Sequence, residues 1–151
     1  MTQIDYAKKF KINAVDRYMK TFANIARYKL FNVKEHGRVN IFAAQHFSER
    51  LVDRNLGHEF AVKLLSYAFE KHANKFIATV DTFINYKDVI LVVNSEKQED
   101  MCKIRLKTML SNGEDTFLNV KKNIPVQHIN IELKELMNYV PKSMEPEKTV
   151  P

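Results

Sequence analysis

Met101-Cys102-Lys103-Ile104-Arg105-Leu106-Lys107-Thr108-Met109-Leu110 alternates with a period of two: Cys102, Ile104 and Leu106 fall on one side, Lys103, Arg105 and Lys107 on the other. That pattern predicts a strand with one apolar and one cationic face. Three cations on one face require either solvent or an anion. The following Ser111-Asn112-Gly113-Glu114 is a strong hairpin signal, because Asn-Gly adopts positive φ readily, and it predicts that residues 115–121 pair back antiparallel. Upstream, residues 76–80 and 88–93 are rich in β-branched side chains, with a turn at 85–87 between them. The expectation is an antiparallel meander of about four strands.

The sequence before the meander reads as helical. Val15, Tyr18, Met19, Phe22, Ile25, Ala26 and Leu30 recur at steps of three and four, predicting an amphipathic helix over 13–31. Residues 33–40, with Gly37, read as a connection, 41–55 as a short helix ended by Gly57, and 58–73 as a third helix. After the strands, Asn130 is a candidate cap for a last short helix over 131–139, which Pro141 stops. Helices first and strands second give an α+β class, with N-terminal helices packed on a four-stranded antiparallel sheet. The expected organisation is one domain over 1–140, made of a basic helical arm (1–40) and a core (41–121), followed by a disordered tail at 141–151.

Composition narrows the function classes. The chain has 151 residues, 45% of them apolar and 28% charged, enough for one core and too few for two. A single cysteine, Cys102, forms no internal disulfide, and no signal-like or bilayer-length apolar stretch is present, so a reducing, cytoplasmic setting without a membrane is expected. None of the three glycines belongs to a phosphate-binding loop motif, and no Cys/His spacing suggests a metal. No cofactor is expected. The formal charge of +6 is concentrated: residues 1–40 carry nine bases against three acids, and the remainder balances. Lys9, Arg17, Lys20 and Arg27 on the first helix, with Lys103 and Lys107 on the strand, are therefore candidate contacts to a nucleic acid. A solvated helix face that only maintains solubility is the alternative.

His46, Arg50 and Arg54 stand four residues apart beside Glu49 and Asp53. On a helix they share a face, joining an imidazole that titrates near neutrality to two guanidinium groups able to hold a phosphate. The plainer reading pairs the arginines with Glu49, Asp53 or Glu70 and leaves His46 as a helix start. The string His46-x-x-Glu49-Arg50-x-x-x-Arg54-x-Leu56, followed by a helix and a meander, resembles the phage RegB-type endoribonucleases, which are similar in turn to the RelE-like small ribonucleases. The resemblance covers residues 41–121. It implies helices on a four-stranded antiparallel sheet and metal-independent cleavage of single-stranded RNA, including ribosome-associated mRNA, in a bacterial host cell.

What the resemblance carries over is limited. His46 falls on a histidine implicated in catalysis, and Arg50 and Arg54 on the motif's arginines. The second histidine would land at Ser66, and this sequence offers His72 instead, on an apolar stripe where a core histidine is the alternative. The implied reaction is attack by the RNA's own 2′-hydroxyl, giving a 2′,3′-cyclic phosphate and a free 5′-hydroxyl, with His46 as acid or base and Arg50, Arg54 and Arg105 on the phosphate. Tyrosines, Tyr28 among them, are possible base platforms or half-buried core residues. Two other classes remain open: a non-catalytic nucleic-acid-binding protein, and a phage inhibitor that binds a host protein through the first helix.

Overall fold

The computed structural model describes residues 3–111 and 124–142. The first helix, α1, runs Gln3–Lys29 and is longer than the apolar stripe predicts. Val15, Met19, Phe22, Ala23, Ala26 and Leu30 are buried, whereas residues 5–11 are all exposed. Residues 5–11 present no buried side chain to repeat, which is why periodicity does not find these turns. A 2.7 Å ion pair from Lys8 to Asp53 fastens them to the next helical layer.

Residues 33–40, expected as a connection, hold two elements: α2 (Val33–His36) and the start of β1 (Arg38–Ala43). The Asn32 side chain caps α2 by accepting from the Lys34 amide at 2.9 Å. Gly37 then takes φ 73°, a left-handed value that suits glycine, and turns the chain into the strand. Val39, Ile41 and Ala43 are buried and alternate with Arg38, Asn40 and Phe42, so a period of two underlies the segment first read as the beginning of a helix. The predicted short helix is correspondingly reduced to α3 (Gln45–Asp53), followed by α4 (His58–Lys71) and a single turn, α5 (Ala73–Phe76).

The meander is β2 (Val80–Tyr86), β3 (Val89–Gln98) and β4 (Met101–Ser111), paired antiparallel as expected, but its first strand is displaced from the expected 76–80: Phe76 ends α5 as a wholly buried core residue, and Asn85 and Tyr86, expected in the turn, pair with Ile90 and Val89. The sheet is nevertheless not four-stranded and antiparallel. Among the described residues it has five strands in the order β1-β4-β3-β2-β5, with β1 parallel to β4 and β5 (Val126–Asn130) parallel to β2. The missed strand β5 buries only Ile129, so it shows no alternation to read. The predicted hairpin turn and the strand over 115–121 lie outside the described residues, apart from Ser111, and so does the tail from 143. The last helix, α6 (Leu133–Leu136), is shorter than 131–139 and begins at a capping box between Glu132 and Glu135, while Asn130 ends β5.

The core lies between the helices and one face of the sheet, with Phe47, Leu51, Leu64, Leu65, Phe69, Phe76, Leu91, Ile104 and Leu106 inaccessible to solvent. The opposite face carries a smaller buried cluster, Phe83, Ile90, Val92 and Leu110. Between these faces the β3–β4 register slips once: Val92 pairs with Thr108 and Val93 with Leu106, leaving Lys107 as the extra residue of a bulge. The bulge switches which residues face the helices, from Cys102, Ile104 and Leu106 before it to Met109 after it.

Candidate nucleic-acid interface

The outward residues of the sheet build a concave polar surface. Phe42 of β1 stands in register with Arg105 of β4, Asn94 of β3 with Arg105 on its other side, and Glu96 with Lys103. Together with Asp81, Thr79 and the bulge residue Lys107 they line a cavity of about 450 Å³. Lys103, Arg105 and Lys107 therefore converge as their alternation predicts, and among the described residues none of them has an ion-pair partner. Of the two acids there, Asp81 is engaged, accepting from Asn94 Nδ2 at 2.6 Å. Phe42 is 48% exposed, an uncommon position for a phenyl ring that borders three cations. Phe42, Asp81, Asn94 and Glu96 escape the sequence reading. For Phe42, Asn94 and Glu96 the signal is the outward half of two alternations, one hidden in a presumed helix and one continuing beyond Val93; Asp81 lies on β2, whose nearly uniform burial offers none.

The histidine ladder is formed elsewhere. His46 lies in the first turn of α3 with its side chain 56% exposed, Nδ1 standing 3.8 Å from Glu49 Oε2. Arg50 Nε donates to His46 Nε2 at 3.4 Å, so the i,i+4 spacing does bring the two together. That contact requires an unprotonated Nε2, which places the proton of a neutral ring on Nδ1, toward Glu49. Arg54 is the C-terminal cap of α3, its amide donating to Arg50 O at 2.9 Å. Asp53 pairs with Lys8, whose ammonium holds its carboxyl below the ordinary range. His72 sits at the C-terminal end of α4, where burial, followed by Lys75, lowers its pKa, with Glu135 opposing them. Ser66, the position the motif count reaches, is fully buried in α4.

The sequence-derived set thus divides. Arg105, Lys103 and Lys107 line the cavity on the open face, and none of His46, Arg50, Arg54 or His72 does. On α1, Lys9 and Arg17 are exposed, and Lys20 is bound to Asp16 at 2.6 Å. Arg27 is half-buried and bridges elements: Nη1 donates to Asn40 Oδ1 at 3.1 Å, and its guanidinium lies 4.4 Å from the centre of the Tyr28 ring. Because Asn40 faces outward on edge strand β1, Arg27 reaches from the helical layer around that edge toward the cavity side. No group of His, Cys, Asp and Glu side chains among the described residues is arranged to hold a metal. Among them, too, no helix is long and apolar enough to cross a membrane.

No known protein family, curated protein or solved structure matches the chain. The reading of function therefore rests on this geometry and on the motif in α3.

Proposed function

We propose that this protein binds single-stranded RNA across the open face of its sheet. The observation that carries the proposal is the convergence of Lys103, Arg105 and Lys107 beside exposed Phe42. Cations that form no ion pair among the described residues attract phosphates and release their counterions, and an exposed ring gives an unpaired base a stacking surface. A duplex would offer no unstacked base to Phe42, which favours a single strand. The face retains Asp81 and Glu96, and a carboxylate beside a phosphate is unfavourable unless it meets a donor such as a base amino group. Such an arrangement orders the strand as well as attracting it.

Endoribonuclease activity is a second reading, supported by the exposed His46 in contact with Arg50 and close to Glu49. In that reaction the 2′-oxygen forms a bond to phosphorus as the bond from phosphorus to the 5′-oxygen breaks. One group accepts the 2′-hydroxyl proton and another donates one to the leaving oxygen. His46 supplies one of these transfers and Arg50 stabilises the phosphorane charge. One experiment separates the readings. Wild-type protein, Arg105→Ala and His46→Ala are titrated with fluorescent single-stranded RNA in EDTA, and the RNA is then resolved for cyclic-phosphate ends. Binding weakened by Arg105→Ala without strand scission supports the binding protein. Scission lost in His46→Ala supports the enzyme, and no binding by the wild type removes both.

A further inference from the structure

A second concavity of about 690 Å³ lies at the C-terminal end of α1. Arg27, Tyr28, Lys29, Lys34, His36 and Lys142 line it, and no carboxylate is among its lining residues. Two acids reach its lining cations from outside: Glu35 Oε2 is 3.8 Å from His36 Nε2, and Glu70 Oε1 is 3.6 Å from Lys142 Nζ. Tyr28 is 71% exposed, although Arg27 already lies against its ring and donates to its hydroxyl. One face of that ring is thus held by a cation and the ring is fixed in orientation. The same guanidinium bonds Asn40, whose register partner is Lys103 of the open face, and its buried Nε has no hydrogen-bond partner among the described residues. Arg27 is therefore a physical link between the two concavities around the edge of β1.

We infer that a single strand held on the open face continues around the β1 edge and is gripped a second time in this groove, one base stacking on Tyr28 and its flanking phosphates meeting Lys29, Lys34 and Lys142. The inference rests on the open-face reading and extends it. An acidic peptide would satisfy the cations but gain nothing from an oriented aromatic ring, whereas unpaired bases present a π-face whatever their sequence. Two linked anchors also predict a length effect: a strand long enough to reach both gains affinity through effective concentration, and a short one does not.

The test uses the full chain with oligouridylates of about 4 and about 16 nucleotides, the span of site sizes seen for single-strand-binding folds. Wild-type protein should bind the longer strand at least tenfold more tightly. Tyr28→Ala should abolish that length advantage, lowering affinity for the longer strand roughly 10- to 100-fold. Tyr28→Phe, which keeps the ring, should retain the advantage, and Arg105→Ala should weaken both strands. Since the protein contains no tryptophan, Tyr28→Trp introduces a sole indole at the groove, and the longer strand should quench its emission. A length advantage that survives Tyr28→Ala while Arg105→Ala still weakens binding overturns the second anchor and leaves the open-face reading standing. Binding that depends on Tyr28 and ignores Arg105 overturns the linked path. Polyglutamate competing as well as RNA, without quenching, assigns the groove to acidic protein. Failure of the wild type to bind either strand removes both readings.

Discussion

The two faces of β4 are made from neighbouring residues and do opposite things. Cys102, Ile104 and Leu106 are wholly buried against the helices, while Lys103, Arg105 and Lys107 line an open cavity and form no ion pair among the described residues. The inward face stabilises the fold through area removed from water, near 25 cal/mol for each Å². The outward cations contribute little to folding, since they form no ion pair among the described residues and exposed charge pairs are worth little in any case; the buried part of that face is Phe83, Ile90, Val92 and Leu110 beyond the bulge. In the proposed function these cations are the groups that meet the phosphates. Lys107 extends the comparison, because the bulge that ejects it from the ladder also adds a third cation to the cavity.

The largest test of that division removes one residue from each face. Leu106→Ala should cost about 2–5 kcal/mol in chemical denaturation, the range for deleting a fully buried side chain and leaving a cavity. Arg105→Ala should change stability by less than about 0.5 kcal/mol. In RNA titrations the ranking should invert, with Arg105→Ala reducing the slope of log affinity against log salt by about 1. Equal destabilisation by the two substitutions would show that the outward face is structural. A smaller test concerns α3: His46→Ala should leave stability within about 0.5 kcal/mol of wild type, because the ring is exposed and its contacts with Glu49 and Arg50 are long.

The C-terminal segment supplies an intermediate case, polar contacts that do hold the fold. Tyr67 Oη donates to Glu135 Oε2 at 2.5 Å and Tyr139 Oη to Glu70 Oε2 at 2.6 Å, with the two rings in edge contact at 5.2 Å. These crossed bonds clamp α6 and its following turn to α4. The Tyr67 bond holds the Glu135 carboxyl below its ordinary value, and its counterpart, helped by burial, pushes the Tyr67 hydroxyl up to about 12. The carboxyl is depressed, so its stabilisation is present above the ordinary 4.5 and is lost as pH falls through the lower folded value. The hydroxyl is raised, so its share is present below the ordinary 10.0 and is lost as pH rises toward about 12. Tyr67→Phe should therefore cost about 1 kcal/mol across the neutral range and flatten stability at both limits, as read by denaturation against pH.

How much was legible follows from which residues repeat. β4 and the stripe of α1 are readable because several buried side chains recur at one spacing, Cys102 to Leu106 in one case and Val15 to Leu30 in the other. β1 is obscured because Phe42 is an apolar residue on an outward position, which fills the gap that alternation needs. β5 is hidden because a parallel edge strand with one buried residue has no pattern of its own. In the candidate site, the three cations of β4 could be grouped from the sequence, whereas Asn94 and Asp81 meet only through the β2–β3 register. The motif in α3 specifies the local contact between His46 and Arg50 and carries no information about which side of a sheet that helix covers.

The smallest expected effect lies at the hairpin that sets the division of faces. Gln98 pairs with Met101, so Glu99 and Asp100 alone turn β3 into β4, and Glu99 does this at φ 46°, where a side chain is strained. Holding a non-glycine residue in the left-handed region costs about 1–2 kcal/mol. Glycine relieves that strain but loses about 0.5–1 kcal/mol more backbone entropy on folding. The difference predicts that Glu99→Gly stabilises the protein by about 0.5 kcal/mol, a small rise in the denaturation midpoint at unchanged slope. Glu99 is exposed and belongs to neither face, so RNA affinity should stay constant. A fall in stability would mean that the carboxylate of Glu99 contributes more than the strain it imposes. A fall in affinity at unchanged stability would mean that the turn positions Lys103 and Arg105 by restraining the register of β3 on β4, making the cationic face a property of the hairpin and not of the strand alone.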